Sequence, residues 1–520
     1  MRHPSDVLIG LDAGSAAVVA AAFDRAGRQI AHAATANPAS LIEGGGVEQD
    51  LGATWQACVR TLRLLAEQVP DLARRTVALA LTGQADGTWL VDEDGDPVAP
   101  ALLGSDARSA ALVARWRRSA IGPALEALTG SRVTAGTQSA QLAWLVEQRP
   151  AVVMQAASVL HAKDWLYLCC TGKRATEMSQ AVPAWGDYRT GTYDDEVRRL
   201  TGLDELAPLL PELVDGTRHH AQLRDAAAAA TGLWSGTPVV LGPVDVIAAA
   251  LASGLYGAGP ALGCTLLGPD GAHLRLHHEP VSLRLPEQHA GGTVPLVAPG
   301  MWASHVAHPA AASNLDWLLG LCEELLAEAG LIGIARAELI GMLDRKAAQA
   351  EPGAVLFHPF LAESGSRGPS LRAAGCGQLH GLSARTTFRD LSRAGYEGLG
   401  FAARDAYAAL GHRPQEIRLA GELARRATCG QVLGACVGAP VRRVDRAQPA
   451  LAGAALVASV ALGQYAGIEQ ALAEWVDPWL GVAEKVDPAL EVLYDRLFEV
   501  YRLAQGQGAA IERALTAATG

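Results

Sequence analysis

The stretch Val7-Leu-Ile-Gly-Leu-Asp12-Ala-Gly-Ser15 is an apolar run that ends in a carboxylate and a glycine turn, and it continues through Ala16–Ala22 into Phe23-Asp24. An apolar strand that delivers Asp12 to such a turn places one acidic group beside several backbone N–H groups at a strand end. That is chemistry suited to a metal-bound polyphosphate. A buried edge hairpin in which Asp12 merely caps the turn fits the same residues. The first reading is favoured by a second strand–turn–strand pattern about 250 residues further on, over 262–276.

Between and beyond these two openings, Val/Ile/Leu-rich runs alternate with long Ala/Leu/Arg segments of helical period, the pattern of an α/β protein. Strands are predicted near 6–12, 18–23, 76–82, 88–92, 238–241, 263–267, 272–276, 355–358 and 416–420. Helices are predicted near 51–68, 106–118, 161–171, 221–231, 245–254, 314–329, 386–410, 423–437, 450–463 and 487–515. The repeated opening predicts two α/β domains around one cleft, 1–254 and 255–520, joined by the linker-like Gly254-Leu-Tyr-Gly-Ala-Gly-Pro260. In the last helix, Leu490, Leu493, Leu497, Val500 and Ala504 recur at three- and four-residue steps, which predicts a clasp packed back on the protein.

At 520 residues the chain is too long for a single core, and with 50% hydrophobic and 19% charged residues it can fill more than one. Acidic residues outnumber basic ones, 54 to 43, with no Lys/Arg-rich block, which argues against a nucleic-acid partner. The longest apolar stretches, near 226–230 and 451–462, fall short of the ~18 residues that a membrane span needs. No basic region followed by an apolar one precedes the first strand, so a cytoplasmic protein is expected. The eight cysteines include no C-x-x-C pair and imply neither zinc nor a disulfide framework. His219-His220 and His277-His278 read as surface loops rather than metal ligands.

Two further segments carry polar chemistry. In Thr82-Gly-Gln-Ala-Asp-Gly-Thr-Trp-Leu-Val91 a strand ends in a polar cluster, and Asp106-Ala-Arg108 follows at the start of a predicted helix. Gln84, Asp86, Asp106 and Arg108 form a set of hydrogen-bonding groups of the kind a polyhydroxylated ligand requires, although a solvated hairpin fits too. In Gly236-Thr-Pro-Val-Val-Leu-Gly-Pro-Val-Asp245 a buried strand runs into a helix, and Asp245 by itself is a helix cap.

Together with Gly46-Val-Glu-Gln-Asp50, His161-Ala-Lys-Asp-Trp-Leu166, Ala175-Thr-Glu-Met-Ser179, Phe357–Pro369, Arg393-Ala-Gly-Tyr-Glu-Gly398 and Leu419-Ala-Gly-Glu-Leu-Ala-Arg425, these segments resemble the FGGY carbohydrate kinases over nearly the whole chain. Ala184-Trp-Gly-Asp-Tyr-Arg-Thr190 is most similar to the erythritol and xylitol kinase branch. The resemblance implies two actin-like ATPase domains of the ribonuclease H-like type, closing around ATP, Mg2+ and a small sugar or polyol; a homodimer is left open. It makes Asp245 the catalytic base and, with Asp12, a metal-site residue. It sets Gln84, Asp86 and Asp106 against the polyol, Gly14, Ser15, Gly268 and Gly271 along the phosphates, and Gly421 and Glu422 beside the adenosine.

Four positions depart from the family pattern. Val19 stands where the family has Lys or Arg, seven residues after Asp12. Gly268-Pro-Asp-Gly271 replaces Gly-Thr-Thr-Gly, with Pro269 removing an N–H and Asp270 adding a negative charge; an ordinary β-turn suits the same four residues. Glu422 replaces the second of two paired glycines, and Gly104 replaces a Trp, which is expected to open the sugar pocket. These changes predict weak Mg-ATP binding. They also support a competing reading, a weak or inactive homologue that serves as a polyol-binding sensor or partner subunit.

Overall fold

The computed structural model describes residues 6–256, 261–286, 289–297, 300–308, 311–331, 333–361, 377–411 and 413–519. Two six-stranded sheets organise them. The first comprises β1 (Val7–Ala13), β2 (Ala17–Phe23), β3 (Gln29–Ala36), β4 (Thr76–Gly83), β5 (Ala221–Gln222) and β6 (Pro238–Leu241), in the order β5-β6-β4-β1-β2-β3. β1, β2 and β3 form an antiparallel meander, and β4 and β6 continue parallel to β1. The second sheet comprises β7 (Leu262–Leu267), β8 (Gly271–His277), β9 (Gly291–Pro295), β10 (Trp302–His308), β11 (Glu416–Ala420) and β12 (Val441–Arg443), in the order β9-β10-β8-β7-β11-β12. Its antiparallel β7–β8–β10 run with parallel β11 and β12 repeats the first arrangement. The duplicated α/β architecture predicted from the two strand–turn openings is therefore present.

Eight helices bear on the site: α1 (Leu51–Gln68), α2 (Ala162–Thr171), α3 (Asp245–Ala252), α4 (Ala312–Glu328), α5 (Phe388–Ala409), α6 (Ala427–Val437), α7 (Pro449–Ala461) and α8 (Pro488–Thr519). The two-residue period of β1 sorts its side chains between two cores. Val7, Ile9 and Leu11 pack with Cys58, Leu62 and Leu65 of α1 and Leu166 and Tyr167 of α2. Leu8 turns to the other face with Ala78, Ala80 and Val240, into a core that also holds α3, α7 and, from the second sheet, Cys264 and Leu274. The far face of the second sheet, with Leu267, Ile417 and Leu419, packs on α5, α6 and α8.

The chain crosses back on itself. Although α7 follows the second sheet in sequence, it packs against α3 and against β1, β2, β4 and β6 of the first sheet. The contact with α3 is so close that a Cβ on Gly453 would lie 1.9 Å from the Ala248 carbonyl oxygen, so only glycine is accommodated there.

Each predicted strand and helix has a counterpart, but several elements were not foreseen. β3 is Ala-rich, β9 opens on two glycines, and helix Gln138–Gln148 buries Gln138, Ser139, Ala140, Gln141, Leu142 and Ala143 in succession, which erases any helical period. α8 does clasp the second core: Tyr494, Phe498, Tyr501 and Ala504 are buried, Leu490, Leu493 and Leu497 pack against that core, and of the expected positions Val500 alone is exposed. His277 closes β8 instead of lying in a loop. The seven described cysteines are free, while Cys376, Gly257–Pro260 of the expected linker and 362–369 of the Phe357–Pro369 segment lie outside the described residues. Among the described residues no helix is long and apolar enough to cross a membrane.

Candidate active site

Asp12 is the penultimate residue of β1, and the antiparallel register sets it directly opposite Val19. Its Oδ1 is buried with no hydrogen-bond partner among the described residues. Burial, and next to it the negative charge of Asp245, push the Asp12 carboxyl up to about 8. A strand-end carboxylate raised by burial and by the charge of a second carboxylate marks a candidate functional site.

Asp245 opens α3, and the turn before it is pinned from three sides. Gly242 N donates to Leu81 O at 2.8 Å, Thr82 Oγ1 donates to Pro243 O at 2.7 Å, and Val244 N donates to Ser179 Oγ at 2.9 Å. Ser179 is itself held by Glu177, whose carboxylate accepts from both the Ser179 hydroxyl and its N–H. Behind Glu177 lies Lys163, wholly buried, with Nζ 3.5 Å from Glu177 Oε1 and 3.1 Å from Asp164 Oδ1. Burial pushes the Asp164 carboxyl up, but Lys163 and His161 outweigh it and hold the group below its ordinary range. The conformation at Asp245 thus rests on a buried, ion-paired network.

The Gly46–Asp50 segment organises the expected polyol side. Val47 N donates to Asp106 Oδ2 at 2.9 Å, Glu48 Oε1 lies 2.8 Å from Arg108 Nη1, and Asp50 caps α1 by accepting from Ala53 N. Gln49 Nε2 donates to Asn37 O at 2.7 Å and Ser15 O at 3.2 Å, and its Oε1 accepts from Gln84 Nε2 at 3.2 Å. Asp106 does not line an open pocket as expected. It is buried, and both its oxygens are engaged, by Val47 N and by the Arg108 backbone and guanidinium. Asp106 therefore sets Arg108, which also lies over the Trp144 ring. Asp86 is half-buried in the left-handed region, φ 60°, a conformation that Asp tolerates and that marks a constrained turn. Gly104 gives less room than its substitution for Trp suggests, because a Cβ on Gly136 would fall 2.1 Å from the Gly104 carbonyl oxygen, so the 136 backbone already lies against it.

The two turns differ in how they are built. Gly14 N donates to Ala17 O at 3.1 Å, leaving Ser15 exposed at the tip, and Asn37 Nδ2 holds Gly14 O at 3.1 Å. In the second, Gly268 N donates to Asp270 O, while Gly268 O and Pro269 O accept from Ala312 N and Ala311 N at the start of α4. Gly271 is the first residue of β8, paired with Leu267, so Gly268–Gly271 is the tight turn of an ordinary hairpin. Asp270 is exposed. Gly421 has φ 97°, and a Cβ there would sit 2.5 Å from the Leu267 carbonyl oxygen, so this glycine is demanded by packing between the ends of β7 and β11. Glu422 is 60% exposed and 3.8 Å from Arg426, which reduces its effect as a free negative charge.

Asn37 and His305 were not singled out from the sequence, and Gln49 and Ser179 entered only within the Gly46–Asp50 and Ala175–Ser179 segments, with no role of their own. His305, on β10 of the second sheet, has a buried Nδ1 without a hydrogen-bond partner among the described residues. Burial pushes its imidazole down, against an opposing pull from the charge of Asp86. Nothing in the Ser-His-Val context marks it; only the fold brings it toward Asp86. Among the described residues no group of three or more His, Cys, Asp and Glu is placed to hold a metal.

Comparison with known proteins agrees with this geometry. The N-terminal domain model of the FGGY family of carbohydrate kinases matches residues 7–252, and the C-terminal domain model matches 271–462. The chain is 41% identical over 506 residues to an erythritol kinase of Brucella abortus, covering 97% of each, and 27% identical to an L-xylulose/3-keto-L-gulonate kinase of Escherichia coli, covering 89% of this chain and 90% of the relative. Among solved structures, a xylulose kinase from Brucella ovis superposes with a TM-score of 0.82 at 25% identity, covering 97% of this chain and all of that one. A pair of like-folded sheet domains, an Asp12 carboxyl raised by burial and by Asp245, and these matches over both halves lead to one conclusion: the chain belongs to the FGGY family of carbohydrate kinases, and it is an enzyme that transfers phosphate to a hydroxyl of a small sugar or polyol.

Proposed function

We propose that this kinase phosphorylates a primary hydroxyl of a small polyol, with erythritol as the leading substrate and Mg-ATP as the donor. The reading is carried by the Asp12–Asp245 pair, in which the charge of Asp245 adds to burial in raising the Asp12 carboxyl. The erythritol assignment is supported by the 41% identity to the Brucella abortus erythritol kinase. Asp245 takes the proton from the attacking hydroxyl, while Gln84 and Asp86 orient the polyol and Asp106 acts one step back through Arg108. The turns at Gly14-Ser15 and Gly268–Gly271 flank the phosphates, and Gly421-Glu422 borders the adenosine.

Asp12, with its unpartnered oxygen, and Asp245 fit Mg2+, which takes one or two carboxylates and fills its remaining positions with water and phosphate oxygens. When bound, the ion supplies neutralisation of the transferring phosphate's charge. The rest falls to the protein, since phosphoryl transfer is chiefly a matter of positioning and charge. In this proposal 1–254 forms the polyol side and 255–520 the nucleotide side with the C-terminal helix, except that α7 is built into the first sheet. A cytoplasmic homodimer completes the proposal, and sedimentation velocity checks its stoichiometry.

The test is ADP release with erythritol, xylitol, glycerol and xylulose at saturating Mg-ATP. Highest kcat/KM for erythritol supports the reading. Turnover with none of the four would return the polyol-binding sensor to consideration.

A further inference from the structure

We propose that Gln49 is a positioning residue that dictates which end of the Gln84 amide meets the substrate, so that Gln84 offers its Oε1 as an acceptor to a donating hydroxyl. This rests on the reading of Gln84 as a polyol-binding residue.

The argument starts from atoms whose roles are not in question. Ser15 O and Asn37 O are backbone carbonyl oxygens and can only accept, so the Gln49 end that lies 3.2 Å and 2.7 Å from them must be the amide nitrogen. Gln49 is 2% exposed and has no room to exchange those bonds for water. Its Oε1 is therefore fixed at the other end, 3.2 Å from the Gln84 amide. An oxygen there requires a donor, so Gln84 in turn must present Nε2 to Gln49, and its Oε1 is directed elsewhere. Gln84 is 7% exposed, and its backbone N–H is tied to Ala13 O at 3.1 Å, so the side chain pivots little. The orientation is thus relayed from the Gly14–Ala16 turn through one buried amide to the next. The same relay mechanically links that turn to the polyol side, because Asn37 also holds Gly14 O.

A hydroxyl that donates to Gln84 Oε1 satisfies this arrangement, whereas a group that can only accept does not. With Gln49 removed, the Gln84 amide is free to turn over, and the selected orientation is lost.

The experiment measures steady-state kinetics with erythritol for Gln49→Met, Gln84→Met and the double variant. Each single variant is expected to raise KM for erythritol about three- to tenfold with a smaller change in kcat, the range for one neutral hydrogen bond. The double variant is expected to be no worse than Gln84→Met, since Gln49 acts through Gln84. An unchanged KM in Gln49→Met, or effects that multiply in the double variant, would overturn the inference while leaving Gln84 as a substrate residue. An unchanged KM in Gln84→Met would overturn that parent reading and the inference with it.

Should Gln49→Met fail to fold, Gln84→Glu decides, because it leaves the bonds of Gln49 to the backbone in place. An ionised carboxylate has no donor for Gln49 Oε1, but the protonated acid has one and still offers its other oxygen outward. Erythritol affinity of Gln84→Glu relative to the wild type, measured by calorimetry, is then expected to improve about tenfold from pH 8 to pH 5. A ratio that stays flat across that range overturns the inference.

Discussion

Val19 faces Asp12 directly across the β1–β2 ladder, so the cross-strand neighbour of that carboxylate on β2 is an isopropyl group. Residues opposite one another on antiparallel strands share a face of the sheet, and a cation at 19 would lie beside Asp12. Burial and the charge of Asp245 both raise the Asp12 carboxyl. Val19→Lys should therefore lower the Asp12 pKa and place a positive charge at the phosphate turn. A charge-assisted contact of about 1–2 kcal/mol corresponds to a roughly 5- to 30-fold lower KM for ATP. An unchanged KM for ATP would mean that the phosphates pass elsewhere.

The same carboxyl gives a pH dependence with a defined sign. Its native pKa of about 8 lies above the ordinary 3.8, so between those values the native state holds a proton that the unfolded chain has released. This contribution to stability is complete below pH 3.8 and is lost as pH rises through about 8. Asp12→Asn removes this pH dependence. In the absence of divalent cations its melting temperature should exceed that of the wild type increasingly from pH 5 to pH 8.5, by roughly 1–3 kcal/mol of stability at the upper end once solvent near the carboxylate is allowed for. Equal melting curves at pH 8.5 would show that Asp12 is not strained by its surroundings.

What was legible in the sequence follows from how local each signal is. The β1–β2 and β7–β8 openings carry their apolar runs and turn residues within a few positions, and both sheets grow from them as expected. Helix Gln138–Gln148 and strands β9 and β10 were missed because their burial comes from the tertiary surroundings, leaving no period to read. In the site, Asp12 stood out as a carboxylate at a strand end, whereas Asp245 read only as a helix cap until the family resemblance gave it a role. Asp106 was read as ligand-facing because an acidic residue before a helix resembles one in a pocket. Its saturation by Val47 N and Arg108 depends on a strand 59 residues earlier, which spacing does not reveal. Gln49 and Ser179 lay within motif segments, but their roles could not be read for the same reason: each bonds to backbone atoms far away in sequence.

Gly421 separates a nucleotide role from a packing role. The φ of 97° and the 2.5 Å approach to Leu267 O mean that any side chain strains the junction between β7 and β11. Gly421→Ala should destabilise the protein by about 2–4 kcal/mol, seen as a lower midpoint in urea unfolding. A variant that keeps its midpoint but loses ATP affinity would instead make nucleotide approach the reason for the glycine.

The final pair of variants distinguishes the group that reacts from the group that holds it. Asp245→Asn is nearly isosteric and removes only the proton acceptor, so kcat with erythritol should fall ~100-fold or more, with the melting temperature maintained or raised because the repulsion on Asp12 is gone. Ser179→Ala keeps Asp245 but deprives Val244 N of its 2.9 Å acceptor at the entry to α3 and leaves Glu177 short of a donor beside Lys163. An unsatisfied buried N–H costs about 1–3 kcal/mol, so this variant should melt earlier and lose kcat by only ~10-fold, with the pH profile of the wild type retained because the base is still present. If Asp245→Asn kept most of its turnover, the proton would have to leave by another route, and the role assigned to Asp245 would fall. If Ser179→Ala matched the wild type in both stability and kcat, the turn before α3 would be held by Thr82 and Leu81 alone.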